Sequence, residues 1–198
     1  MSHPDLLVYA VHAAFWISFG VTRVFVRTPA ERPAAGTPVA DREQTAPFSR
    51  TLLTFHMTAF VVMYFGIGNA VLPDRVPTWF VGQGVVGAVV IALGATLLCW
   101  TLVVFRSWRF RAKLDRGHQL TTDGPFRVLR HPIYLGLDLL TLGTAIWVPT
   151  IVVWIAFALM ALGGDLRARS EEALLGRAFG STYAEYSRRT KRFIPGLY

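Results

Sequence analysis

Four apolar stretches, separated by polar or proline-rich segments, organise the chain. Residues 6–26 read LLVYAVHAAFWISFGVTRVFV, and residues 51–72 read TLLTFHMTAFVVMYFGIGNAVL. A third stretch occupies 79–105. A helix needs roughly 20 apolar residues to cross a bilayer core, so each of these predicts a transmembrane helix. The third is long enough to cross at a tilt. The fourth block, 133–163, holds too many residues for one straight crossing and too few for two. WVPT, from Trp147 to Thr150, interrupts it, because Pro149 ends or restarts a helix. The pattern predicts a hairpin of two short helices there. Residues 165–198 are polar, charged and punctuated by aromatics, which predicts a soluble or interfacial helical tail. The expected fold is therefore all-α: an integral membrane protein with five transmembrane helices, the last two a short helical hairpin, plus a cytosolic C-terminal helix. Two regions follow. Residues 1–105 form an N-terminal three-helix membrane region with a cytosolic linker at 28–50. Residues 106–198 form the core that carries chemistry, built from a basic loop, the hairpin and the tail. No internal repeat is evident.

Composition agrees with a membrane location. Of 198 residues, 53% are hydrophobic and only 16% are charged, against about 25% charged in an ordinary soluble domain. The net charge of +8 does not indicate a nucleic-acid partner. The basic residues sit between apolar blocks rather than on one water-soluble face, a placement that suits anionic lipid headgroups. The single cysteine, Cys99, lies inside an apolar run, so no intrachain disulfide or cysteine-based metal site is expected. The first apolar stretch lacks a basic leader and is long enough to span, so it reads as a helix rather than a cleavable signal. Lys and Arg then give the orientation. With the N-terminus outside and five crossings, 23–50 carries five of the 20, 106–130 seven and 165–198 seven, all on one side; the turn at 73–77 carries one on the other. The positive-inside rule makes the crowded side cytoplasmic. The high Arg, Ala and Pro usage suggests a bacterial source, hence an inner membrane.

The residues with chemical potential gather on that side. GPFRVLRHPIYLG, Gly124 to Gly136, places Arg130 and His131 before a proline. A residue preceding proline is biased away from helix, and Pro132 suits the first helical turn. Arg130 and His131 are thus expected at a helix entrance near the bilayer edge, where free N–H groups and the helix dipole favour an anion. Alone, such residues usually anchor the helix end. Arg106, Arg109, Arg111 and Lys113 read as a headgroup-facing patch. His12, His56, Asn69 and Asp138 lie within apolar spans, where polar groups are costly; they are expected to face neighbouring helices and hydrogen-bond there.

Taken together, GHQLTTDGPFRVLRHPIYLG and, about 35 residues later, EEALLGRAFGSTYAEYSRRTKRFIPG resemble the catalytic core of isoprenylcysteine carboxyl methyltransferases, within a wider group that includes the phospholipid methyltransferases. The resemblance covers roughly 117–196. It implies a membrane-embedded methyltransferase that takes S-adenosylmethionine from the cytosolic face and a lipophilic acceptor sideways from the bilayer. By motif, it implies cofactor contacts from His118, Gln119, Leu120, Phe126, His131, Pro132 and Tyr134, with Gly136 permitting close approach. It implies that Glu171 or Glu172 binds the ribose hydroxyls or the amino group, and that Arg130 or Arg167 holds the methyl acceptor. No metal is implied.

These residue types suit the chemistry. Methyl transfer from a sulfonium is an in-line displacement that needs positioning and exclusion of water. A carboxylate acceptor is already a nucleophile and needs only a fork such as Arg to orient it. An amine or thiol would need a base, for which His131 or a glutamate is the candidate. Phe126 stands where the family often has Tyr, and the acidic pair Glu171–Glu172 is shorter than in eukaryotic members, which bears on the acceptor more than on the cofactor. The first expectation is carboxyl O-methylation of an isoprenylcysteine-like compound. The alternatives are methylation of a lipid amine or small thiol, an NADPH-dependent sterol-reductase type of enzyme, and a non-catalytic membrane scaffold. Ile133 and Leu137 stand where such reductases usually carry Asn and an acidic residue, which argues against the second.

Overall fold

The computed structural model describes residues 4–26, 44–46, 48–105, 113–114 and 119–194. His118, Arg106, Arg109, Arg111 and the final Pro195 lie outside the described residues. A 3-10 turn, Pro4–Leu6, leads into α1 (Leu7–Phe25), followed by α2 (Ser49–Val71) and α3 (Gln83–Val104). α4 (Pro132–Trp147) and α5 (Ile151–Arg189) complete the chain. A two-residue antiparallel ladder joins β1 (Gln44–Thr45) to β2 (Lys113–Leu114).

α1, α2, α3 and α5 are long and apolar enough to cross a membrane; α4 is apolar but shorter, at 16 residues. Large apolar side chains face outward from them, Val24 and Val61 at 68% exposure and Val85 at 70%. Such a surface would be unstable in water and is ordinary in lipid. The protein is an integral membrane protein.

The break at WVPT forms as the sequence predicts. α4 ends at Trp147, and the Thr150 hydroxyl accepts a hydrogen bond from the Val153 amide to start α5. The second arm of the hairpin differs from expectation. It is not a short helix followed by a separate tail helix, but one continuous 39-residue helix, interrupted only at Gly180 (φ 53°, ψ −124°). Gly163 and Gly164 do not end it. A glycine in a helix costs about 1 kcal/mol, but here the pair admits neighbours: a Cβ on Gly163 would come 3.2 Å from the Phe55 ring, and one on Gly164 3.5 Å from Tyr134 Cβ. The positive φ at Gly180 is the actual breakpoint, a conformation that favours glycine.

α3 and α4 pack antiparallel through glycines seven residues apart. A Cβ on Gly87 would lie 2.5 Å from the Gly143 carbonyl oxygen, and one on Gly94 2.7 Å from that of Gly136. Small residues of this kind let helix backbones approach closely in lipid. The core between α1, α2, α4 and α5 is filled by Val8, Met63, Ile67, Trp147 and Val153. Among the polar residues inside the spans, His12 bonds as expected, to the Tyr64 hydroxyl (3.1 Å) and the Thr144 hydroxyl (2.9 Å). Asn69 is exposed rather than turned to a neighbour. His56 is buried and Asp138 half-buried, yet they lack the hydrogen bonds expected of them: both His56 ring nitrogens and the buried Asp138 Oδ1 have no partner.

Candidate active site

The site begins where the chain enters α4. Gly124–Arg127 forms a 3-10 turn with Gly124 at φ 56°. The next residues run extended alongside the end of the tail. The Arg130 amide donates to the Lys191 carbonyl (2.8 Å), the His131 amide to the Arg192 carbonyl (3.3 Å), and the Lys191 amide returns to the Val128 carbonyl (2.9 Å). Pro132 occupies the first helical position and His131 the N-cap at φ −129°. The backbone thus ties the C-terminal segment to the helix entrance before any side chain contributes.

Glu172 is the hub of the polar cluster. Its Oε1 accepts from Arg130 Nε (2.8 Å), Arg192 Nε (3.0 Å) and, more weakly, His131 Nε2 (3.3 Å). Its Oε2 accepts from Arg192 Nη2 (2.7 Å). Arg192 therefore grips Glu172 with two parallel bonds, and its Nη1 reaches Asp165 Oδ1 at 3.2 Å. Arg130 also donates through Nη1 to the carbonyls of Ser187 (2.9 Å) and Thr190. These carbonyls lie at the C-terminal end of α5, Thr190 as its C-cap, where a cation is favoured.

Glu171 is less occupied. Its Oε1 accepts from the Tyr134 hydroxyl, and its Oε2 lies 3.5 Å from His131 Nδ1. A carboxylate offers about four lone-pair sites, so Glu171 retains acceptor capacity that Glu172 has used. Tyr134 stacks on His131 with centroids 5.7 Å apart, and the Arg167 guanidinium lies 5.1 Å from the Tyr134 ring centroid. Phe193 covers the other flank of His131 at 6.1 Å.

Burial alone would lower the pKa of His131, but hydrogen bonds to Glu171 and Glu172 and their charges raise it overall. For Glu172, burial pushes upward, and hydrogen bonds from His131, Arg192 and Arg130 override it, holding the carboxyl well below its usual range. Both groups lie outside the apolar stretches, at the start of α4 and in the polar half of α5. The raised His131 stabilises the fold fully below 6.5 and loses this as pH rises through its folded value. The depressed Glu172 contributes above about 4.5 and is lost only as pH falls through its own lowered value. Melting temperature in detergent is therefore expected to be highest between about pH 4.5 and 6.5 and to fall above it. His131→Gln should abolish the fall on the alkaline side; an unchanged fall would assign it to other groups.

Of the residues singled out in the sequence, Arg130, His131, Tyr134, Arg167, Glu171 and Glu172 come together. Pro132 sits beside them as the helix start. Gln119 and Leu120 are half-buried, and Leu120 packs on the cluster of Leu174, Phe179, Tyr183 and Tyr186 under the tail. Phe126 is buried with its ring edge-on to Phe105, and its carbonyl accepts from the Tyr186 hydroxyl at 2.9 Å. Gly136 makes its close approach to α3, where its Cβ would lie 3.1 Å from the Gly94 carbonyl. His131 has both ring nitrogens facing carboxylates, which favours its protonated form. Arg192 and Asp165 escaped the sequence reading. Arg192 sits in the run RRTKR, which looks like any headgroup-facing patch, and only the partner 20 residues away distinguishes it.

Residues 83–182 match the family model described as phospholipid methyltransferase. The chain is 31% identical to protein-S-isoprenylcysteine O-methyltransferase B of Arabidopsis thaliana over 113 residues, 55% of this chain and 57% of that one. It is 38% identical to the cobalt-zinc-cadmium resistance protein CzcN of Cupriavidus metallidurans over 89 residues, 41% of this chain and 38% of that one. The chain spans between 36% and 65% of the length of the curated relatives it matches. The solved structure of the eukaryotic intramembrane Ras methyltransferase ICMT (isoprenylcysteine carboxyl methyltransferase) superposes with a TM-score of 0.66. That match covers 98% of this chain and 68% of the other at 17% identity, and it establishes a shared membrane fold.

Proposed function

Because the chain belongs to the phospholipid methyltransferase family, we propose that it is a membrane-embedded, S-adenosylmethionine-dependent methyltransferase acting on a lipophilic acceptor. The first acceptor we propose is the carboxylate of an isoprenylcysteine-like compound, the chemistry named in several of its relatives. The observation that carries the reading is the division of labour between the paired glutamates. Glu172 is consumed in holding the tail, while Glu171 keeps acceptor capacity beside a set of aromatic rings.

The residues present fit the cofactor. Its ammonium and ribose diol call for a carboxylate, which Glu171 offers. Its sulfonium calls for aromatic faces, which Tyr134 and Phe193 offer beside His131. When bound, it supplies an electrophilic methyl group. The chain's own work is positional. Glu172, Arg130 and Arg192 lock the tail over the entrance of α4, which excludes water. Protonated His131 holds both carboxylates in place. Arg167, on the acceptor side, orients a carboxylate for attack. The distribution of Lys and Arg supports a site at the cytoplasmic face, and the high Arg, Ala and Pro usage supports the inner membrane of a bacterial cell. Membrane lipids are its surroundings and the source of its acceptor.

The protein in nanodiscs, incubated with methyl-labelled S-adenosylmethionine and N-acetyl-S-farnesylcysteine, is expected to form a base-labile ester that releases labelled methanol. Label appearing instead on a long-chain thiol or amine would move the acceptor. Label on no acceptor, with no binding of S-adenosylhomocysteine, would reject the methyltransferase reading.

A further inference from the structure

His56 of α2 has a chemistry that the site above leaves unexplained. It is fully buried in an apolar span, and neither ring nitrogen has a hydrogen-bond partner. An unsatisfied buried polar group typically costs about 1–3 kcal/mol, and polar residues at membrane depth generally mark function. Its surroundings lead to the site. The imidazole stacks on Phe60 (6.3 Å) and lies against the Tyr134 ring (5.8 Å), a residue of the site. The neighbouring group on α4 is equally unsatisfied: Asp138 Oδ1 is buried without a partner.

One helix packs against both. The Gly163–Gly164 pair of α5 faces both helices. A Cβ on Gly163 would lie 3.6 Å from His56 Cα, and a Cβ on Gly164 would lie 3.8 Å from Asp138 Oδ1 and 3.5 Å from Tyr134 Cβ. The two consecutive glycines thus bring α5 close against the parts of α2 and α4 that carry the unpartnered groups, and Tyr134, one turn before Asp138 on α4, touches His56. α2 lies outside residues 83–182, so the family match says nothing of His56.

We propose that His56 and Asp138 form the subsite for the polar head of the methyl acceptor, recognising an N-acylated amino acid carboxylate at the end of an apolar chain. This rests on the methyltransferase reading. A neutral imidazole has one N–H to donate and one bare nitrogen. The N–H donates to the acceptor's carboxylate, whose charge Arg167 balances. Asp138 Oδ1 accepts from the acceptor's amide N–H. Neither hydrogen bond requires a further charge inside the bilayer. The head then lies beside Tyr134, on the bilayer side of Glu171.

The test compares three probes bound to the nanodisc protein without cofactor: N-acetyl-S-farnesylcysteine, S-farnesyl-3-mercaptopropionate, which lacks the amide N–H, and farnesyl methyl sulfide, which lacks the head. His56→Leu keeps the volume and removes both nitrogens. It is expected to weaken the first two probes at least tenfold and the third less than twofold. Asp138→Leu should weaken only the first. His56→Gln, which retains a donor, should restore part of the binding. S-adenosylhomocysteine affinity should stay within twofold of wild type in each variant, which also shows that they fold. Equal loss for all three probes, no loss for any, or failure of the wild type to bind the first probe overturns the subsite. If the wild type fails to bind S-adenosylhomocysteine, the methyltransferase reading falls, and the subsite with it.

Discussion

Glu172→Gln is expected to destabilise the protein by about 3–5 kcal/mol, the usual consequence of removing one partner from a buried ion cluster. Its side chain is only 16% exposed, and three cationic groups converge on it. Neutralising it leaves Arg130, Arg192 and His131 together with only Asp165 and Glu171 to balance them. The tail, Thr190 to Phe193, loses the grip of Arg192 on Glu172 and keeps its backbone bonds to the α4 entrance, the Arg130–Thr190 bond and the packing of Phe193 on His131. Binding of S-adenosylhomocysteine should fall more than 100-fold, because the tail covers the site. Glu171→Gln provides the contrast. It should weaken cofactor binding at least tenfold while leaving the melting temperature nearer to wild type. Thermal melts in detergent and cofactor titration together separate the two; identical behaviour would refute the distinct roles assigned here.

The second large effect lies far from the chemistry. Gly87→Ala would put a methyl group 2.5 Å from the Gly143 carbonyl oxygen and 2.8 Å from Trp147 Cβ. The nearest obstacle is backbone, so the helices themselves must separate, unzipping contacts along α3 and α4. We expect a loss of about 2–3 kcal/mol and a low yield of monodisperse protein. Gly20→Ala is the control, since nothing lies within 4 Å of its Cβ; it should behave as wild type or better. Equal tolerance at both positions would mean that the α3–α4 seam is loose.

The helices were legible in the sequence because lipid imposes a length and an apolar composition on any crossing, and Pro149 marks its own break. The continuity of α5 was not legible. Gly163 and Gly164 carry the local signature of an interruption, and only the presence of Phe55 and Tyr134 beside them reveals that they serve packing. In the site, the local motifs announced themselves: Arg130 and His131 before Pro132, and the adjacent glutamates. Their division of labour did not, because it depends on which carboxylate Arg192 reaches. That arginine comes from a basic run with no local distinction. His56 shows the same limit from the other side. A histidine in an apolar helix is ordinarily satisfied by a neighbour, as His12 is, and nothing local says which of the two lacks one.

The shortness of α4 has a consequence for how turnover would depend on the lipid around the protein. α3 has 22 residues and α4 has 16, a difference of about 9 Å in length. Trp147, at the end of α4, is level with Gly84 at the start of α3. The deficit therefore falls at the Pro132 end, where the polar cluster sits. The polar cluster sits below the end of α3, and in the proposed reaction a water-soluble methyl donor would descend to it past that end, whereas an acceptor dissolved in the bilayer would arrive by lateral diffusion. Its effective concentration is then a surface mole fraction. Inert lipid added to the bilayer would dilute it, and a change in solution volume would not.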